Sequence, residues 1–239
     1  MRRFFCDNIT ESTATITGDD AHHISRVLRM KPGDALSLCD GAGGEYDAVI
    51  TSVSPEAVVC TLGGKYDSST ESPVAVTLFQ CLPKTGKMET IVQKCTELGV
   101  FAVVPVVSAR CVVIPNKDFE KKRDRYNRVA LEAAKQSRRA VVPQVQPLIE
   151  LKKVDPTQFD LFLVAYEEED ARSLKIALRQ ADSPKTIAIL IGPEGGLEEG
   201  EVSRFTAEGA LSVSLGKRIL RTETAGMAML AQILYEVEP

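Results

Sequence analysis

TIAILIGPEGG, residues 186–196, joins six aliphatic and β-branched residues to a glycine-rich turn, and Glu198 and Glu199 then open a helical pattern. An unbroken apolar run of this length predicts a strand covered on both faces, as in a parallel sheet. Glycines directly after such a strand let backbone approach a small molecule with no Cβ between them. They stand at the strand end where open α/β sheets bind ligands. The turn at 192–196 is therefore a candidate ligand loop, although taken alone it also fits a structural turn. LSVSLGKRILRTETA, residues 211–225, repeats the arrangement: a short alternating strand, Leu215-Gly216, the cations Lys217, Arg218 and Arg221, and a Thr-rich helix start. Two such turns at neighbouring strand ends predict one shared cavity.

Working outward, strands alternate with helices over most of the chain. The pattern predicts strands at 74–80, 102–107, 160–165, 186–191 and 211–215. It predicts helices at 84–98, 118–138 (entered from Lys117), 170–180, 198–207 and from 222 to about 236. Met88, Ile91, Val92, Cys95 and Leu98 line one face of the first helix at helical spacing. This is the pattern of an α/β domain with a parallel sheet.

Residues 1 to about 70 read differently. Short strands at 2–5, 13–16, 35–39, 46–53 and 57–62, with a helix from Asp19 to about Met30, predict a small β-barrel suited to recognition. GAGGEY, residues 41–46, joins two strand candidates and so predicts a hairpin turn rather than a dinucleotide fingerprint. TGKM at 85–88 lacks the leading glycine and the hydroxyl of a phosphate loop. KYDSSTESP, residues 65–73, is polar, ends in proline and reads as the linker. The expected domains are 1–70 and 74–239.

The chain of 239 residues is long enough to bury a sizeable core. Its six cysteines form no CxxC pair, and His22 and His23 have no partners at ligand spacing, which argues against a metal site and for reduced thiols in a cytosol. No apolar run approaches membrane-spanning length, and MRRFFCDNIT has no signal-peptide core. The expected location is cytoplasmic. Net charge is −4, yet residues 84–139 carry thirteen Lys and Arg against six Asp and Glu, so an acidic chain can still present a basic face. Lys121, Arg125, Arg128, Lys135 and Arg139 fall on one stripe of the helix at 118–138, opposite Phe119, Tyr126, Val129, Ala130 and Ala133. The stripe fits a track for a phosphate backbone and equally a solvated face. Arg26, Arg29 and Lys31, close together at an expected helix end, carry the same two readings.

IGPEGG followed by LGKRILRTETA resembles the SPOUT-class methyltransferases that modify uracil N3 in small-subunit ribosomal RNA. Other blocks match as well: Lys87-Met88, Lys94 with Glu97-Leu98-Gly99, and Glu132-Ala133 with Gln136-Ser137 and Arg139. His23-Ile-Ser-Arg26-Val-Leu-Arg29 matches a run in the family's PUA-like RNA-binding barrel. One position departs from the pattern, because a glycine is common where Arg138 stands.

The resemblance implies a PUA-like barrel followed by a SPOUT domain with a deep trefoil knot, S-adenosylmethionine as cofactor, 16S ribosomal RNA or the small ribosomal subunit as partner, and a homodimer. It implies cofactor contacts from Leu82, Ile191, Gly192, Pro193, Glu194, Gly195, Leu215, Gly216, Ile219, Leu220, Thr224 and Ala225. RNA contacts would come from Arg26, Arg29, Lys87, Lys94, Arg110, Lys121, Arg125, Arg128 and Arg139. Uracil N3 bears a proton, so methylation there needs a proton acceptor and a charge that stabilises the uracil anion. Arg221 is the candidate for the charge, and Glu223 or Glu194 for the acceptor. The helix from Thr222 is apolar nearly all round, which predicts a flank covered by a second subunit. Two alternatives remain open: a non-catalytic RNA-binding assembly factor, and a methyltransferase of the same class acting on another RNA.

Overall fold

A computed structural model describes residues 2–84, 86–113 and 119–238; the helix entry expected at Lys117 lies outside them. The chain divides into two compact units, Met1–Glu71 with Ala134–Val142, and Ser72–Ala133 with Pro143–Pro239. The expectation of two contiguous domains did not include the return of residues 134–142 to the first unit.

In the first unit, strands β1 (Arg3–Phe5), β2 (Thr13–Thr17), β3 (Ala35–Cys39), β4 (Gly44–Val53) and β5 (Ala57–Asp67) form one sheet in the order β1-β3-β4-β5-β2. Register shifts between β4 and β5 at Tyr46/Ala48 and Ile50/Ser52 bend the strands, and the sheet is a curled half-barrel with β1 and β2 at its edges. Phe4, Ile16, Leu36, Leu38, Ile50 and Val58 fill its concave side together with Ala21 and Ile24. The turn at 41–43 joins β3 to β4 as a hairpin, and Asp40 Oδ1 accepts from the backbone of Ala42 and Gly44, both at 2.9 Å. The helix expected from Asp19 to Met30 is shorter: α1 (Gly18–His22) passes into a π-turn at His23–Val27, and Arg29, at φ 51, turns the chain away. The linker also begins later than its composition suggests, because Lys65 and Tyr66 pair with Tyr46 and Glu45 inside the β4–β5 ladder.

Side-chain contacts tie the returning segment to the rest of the first unit. The Arg139 guanidinium lies 2.6 Å from Glu71 Oε2, and the backbone N–H groups of Ala140 and Val141 donate to Glu71 Oε1 at 2.9 and 3.2 Å. Lys135 pairs with Asp20 at 3.0 Å.

The second unit is α/β, with β6 (Ala75–Cys81), α2 (Lys87–Glu97), β7 (Ala102–Val107), α3 (Phe119–Ser137, whose last residues belong to the first unit), β8 (Gln144–Val145), β9 (Ile149–Glu150), β10 (Leu161–Ala165), α4 (Leu174–Gln180), β11 (Thr186–Ile191), α5 (Glu199–Ala207), β12 (Leu211–Val213) and α6 (Thr222–Val237). All of its strand pairs are parallel, in the order β12-β10-β11-β6-β7-β8, with β9 also on β7. The apolar run of β11 is buried on both sides as expected. Ile187, Ile189 and Ile191 enter the core shared with α2 and α6, and Ala188 and Leu190 enter the opposite core with α5. Each fully buried Ile or Leu contributes about 1.5–3 kcal/mol relative to exposure. In the second core Phe162 stacks on Phe205 at 5.2 Å between ring centroids. Helix α2 begins at Lys87 rather than Lys84 because Gly86, at φ 88, cannot extend the helix backward. Helix α4 begins at Leu174 because the Ser173 side chain caps it, accepting from the backbone of Ile176. Among the described residues no helix is long and apolar enough to cross a membrane.

Candidate functional site

Parallel strands bring their C-terminal ends to one edge of the sheet, and a cavity of about 330 Å³ opens there. Residues 191–194 and Gly196 line it after β11, and 214–216 with 218–222 and Ala225 line it after β12. The two glycine turns therefore meet, but their strands are not neighbours. β10 lies between β11 and β12 and contributes Ala165, Tyr166 and Glu167 to the wall. Periodicity locates strands but not their order across the sheet, so β10's share was not legible. The acidic run 167–170 directly after a buried strand was the available signal.

Backbone geometry explains the glycines. A Cβ on Gly192 would lie 3.2 Å from the backbone of Gly196 and Leu197, closer than packing tolerates without a shift of the loop. Gly196 has φ +71, and a Cβ there would strike the Glu167 carboxylate laid across it.

Helix α6 starts at the cavity, and its first residue holds the β11 turn. Thr222 Oγ1 donates to the Gly192 carbonyl at 2.7 Å and accepts from Gln80 Nε2 at 2.9 Å. Gln80, at the end of β6, is fully buried and also donates to the Cys81 carbonyl at 3.1 Å. The sequence reading missed both Thr222 and Gln80, because nothing in a lone Gln within an apolar strand marks it as a partner of a residue so far along the chain.

Glu194 and Glu223, the two candidate proton acceptors, are joined by one cation. Lys87 Nζ lies 3.1 Å from Glu194 Oε1 and 3.0 Å from Glu223 Oε2, and the backbone N–H of Lys84 donates to Glu194 at 3.0 Å. Burial pushes the Glu194 carboxyl up, but the Lys84 N–H and the Lys87 ammonium outweigh it and hold the group below its ordinary value. The N–H of Glu223 itself, and then Lys87, lower the Glu223 carboxyl. Glu223 and then Glu194 raise the Lys87 ammonium. Both acids are thus held ionised around a shared ammonium. Arg221 lines the cavity, is exposed, and has no acidic partner among the described residues. Ile219, also in the lining, is 86 % exposed.

Several expected contacts fall elsewhere. Leu82, Gly195 and Thr224 are not in the cavity lining. Leu82 is buried in the core with α2, Gly195 faces Arg110, and Thr224 is exposed on α6. Among the cations expected to touch RNA, Arg139 is 5 % exposed and paired with Glu71 inside the first unit. Lys87 is engaged as described, Lys94 pairs with Glu97 at 2.8 Å, and Arg125 pairs with Glu89 at 2.8 Å. Arg110 donates to the Gly195 carbonyl at 3.1 Å, buttressing the β11 turn from outside. Arg26, Arg29, Lys121 and Arg128 are exposed, and Phe119, Tyr126, Ala130 and Ala133 form the buried face of α3 as its periodicity requires.

The model of an RNA methyltransferase domain matches residues 70–234, and that of an RNA methyltransferase PUA domain matches residues 16–63. Ribosomal RNA small subunit methyltransferase E of Bacillus subtilis is 40 % identical over 100 % of this chain and 98 % of its own. The chain belongs to the ribosomal RNA small subunit methyltransferase E family. A family member from Neisseria gonorrhoeae, solved bound to S-adenosyl methionine, superposes with a TM-score of 0.83 at 31 % identity, over 99 % of this chain and 98 % of that one. A Legionella pneumophila protein solved with the bound cofactor SAM gives a TM-score of 0.81 at 27 % identity, over 98 % and 97 % of the two chains. The fold is therefore that of the SPOUT methyltransferases, with a PUA unit at the N-terminus.

Proposed function

We propose that the chain methylates N3 of a uridine in 16S ribosomal RNA of the small subunit, with S-adenosylmethionine as donor. The observation that carries this reading is the single cavity shared by the two glycine turns, in a family whose solved Neisseria member holds the cofactor.

The residues present fit the cofactor. At about 330 Å³ the cavity is of small-molecule size. Leu215, Ile219 and Leu220 offer apolar surface to a neutral ring, the backbone around Gly192 and Leu215 offers hydrogen-bonding groups, and Glu194 and Glu167 offer negative charge to a cationic donor. When bound, S-adenosylmethionine supplies an electrophilic methyl group. Arg221 balances the charge that develops on the uracil oxygens as the N3 proton leaves. Glu194 or Glu223, each held ionised beside Lys87, takes that proton, the ion pair making either a weaker base than a free carboxylate.

Arg221→Ala tests the assignment: methylation of small ribosomal subunits should fall by about 10²- to 10³-fold with calorimetric cofactor affinity nearly unchanged. Full residual activity removes Arg221 from the mechanism. Mass spectrometry of ribosomal RNA from a deletion strain identifies the base, and an unmodified parent level of every uridine would refute the substrate. An assembly factor without catalysis is excluded if calorimetry detects the cofactor.

The same reading assigns RNA recognition to residues 1–70 and catalysis to 74–239, in the cytoplasm. It also takes the segment after β12 to thread a deep trefoil knot, which a crystallographic chain trace decides. It further includes a two-fold dimer. α2 covers one flank of α6 within the chain, and Tyr235, 87 % exposed, lies on α6 away from that core. A monomeric sedimentation coefficient at micromolar concentration would refute the dimer.

A further inference from the structure

The first unit holds a second cavity, of about 580 Å³. Arg2 and Arg3 at the chain start, Glu45 on β4, Tyr66 on β5, and Lys135 and Arg138 from the returning segment all line it. Two of its four cations are engaged, Arg3 with Glu45 at 2.7 Å and Lys135 with Asp20 at 3.0 Å. Arg2 and Arg138 have no acidic partner among the described residues. Tyr66 remains 42 % exposed.

Arg138 is also backbone-strained. Its φ is +61, in the left-handed region where a Cβ is disfavoured, and its carbonyl accepts a hydrogen bond from the Arg3 guanidinium that holds the turn in place. A glycine would take such a φ without the steric cost. In this chain an arginine bears the steric cost and places a second unpaired guanidinium at the cavity.

We propose that this cavity takes one nucleotide of single-stranded RNA, with its phosphate between Arg2 and Arg138 and its base against Tyr66. Two guanidiniums without acids suit a phosphate. The volume exceeds what a lone phosphate needs, and an exposed ring beside paired cations is how unstacked bases are held. Arg139 and Arg138 thus divide the work, the first tying the segment to Glu71 and the second facing the ligand.

The proposal rests on RNA being the substrate, and its test is independent of methyl transfer. Fluorescence anisotropy with a labelled oligouridylate, over a salt series on the full chain, compares the parent with Arg138→Gly, Arg2→Gln and Tyr66→Ala. Glycine fits the backbone, so Arg138→Gly should melt at or above the parent temperature and bind cofactor equally in calorimetry. Its RNA affinity should fall, and the slope of log K against log salt should become shallower by about 0.7 for the lost phosphate contact. Arg2→Gln should do the same, and Tyr66→Ala should weaken binding with the slope kept. Parent-like affinity and slope in Arg138→Gly overturn the site, as does displacement of the oligomer by inorganic phosphate as effectively as by uridine nucleotide. If the parent fails to bind cofactor, the catalytic reading falls, while the salt comparison still decides the cavity.

Discussion

Lys87 shows how one side chain fixes the charge state of two acids, one of which, Glu194, lines the cavity. Its ammonium is shared by Glu194 and Glu223, whose carboxyls sit below their ordinary value of 4.5 while its own group sits above 10.5. For depressed carboxyls the stabilisation is complete above 4.5 and is lost as pH falls through their folded values. For the raised ammonium it is complete below 10.5 and is lost as pH rises through its folded value. The cluster is therefore intact throughout the neutral range. In urea titrations the stability gap between the parent and Lys87→Met should stay constant from pH 8 to about pH 5 and shrink below that; a gap that widens on acidification contradicts the pairing. The resemblance gave Lys87 as an RNA contact, and its pairing with Glu194 was not legible because that partner lies 107 positions away and nothing local announces the pair. That the glycine turns and Arg221 border one cavity was legible, since they stand within two short continuous motifs. Thr222 was in plain view inside the quoted motif, but its bond to Gly192 depends on where α6 packs.

At the scale of elements, α3 illustrates what periodicity can and cannot reveal. Its buried face was readable from the spacing of Phe119, Tyr126, Ala130 and Ala133. Its charged stripe was not uniform, however, because Arg139 lies just past the helix end, where the chain turns inward to Glu71. Removing that guanidinium leaves a half-buried carboxylate without a cation, held by neutral donors such as the backbone N–H groups of Ala140 and Val141. Arg139→Ala should cost about 3 kcal/mol in urea denaturation. Charge reversal at Arg128, which is exposed, should cost less than about 0.5 kcal/mol. Equal costs at the two positions would mean that Arg139 is not the anchor. The sheet order tells the same story. β6, β7, β10, β11 and β12 were visible as apolar or alternating runs, whereas the two-residue strands β8 and β9 were too short to leave a pattern, and the insertion of β10 between β11 and β12 is a property of long-range pairing, which no local pattern records.

For the whole molecule, the division at Glu71 is not a clean cut. A fragment of residues 1–71 would leave Asp20 and Glu71 without Lys135 and Arg139, and it should lack a cooperative thermal transition. Adding residues 134–142 through a flexible glycine–serine tether should restore one, and calorimetry on both fragments checks the pair. A cooperative melt in the shorter piece would show that the returning segment is dispensable. The chain crosses between the units three times, after residues 71, 133 and 142. A gene fusion or deletion with a single breakpoint therefore cannot transplant the front unit intact. Exchanging that unit takes a paired swap that carries the short later stretch, residues 134–142, along with it.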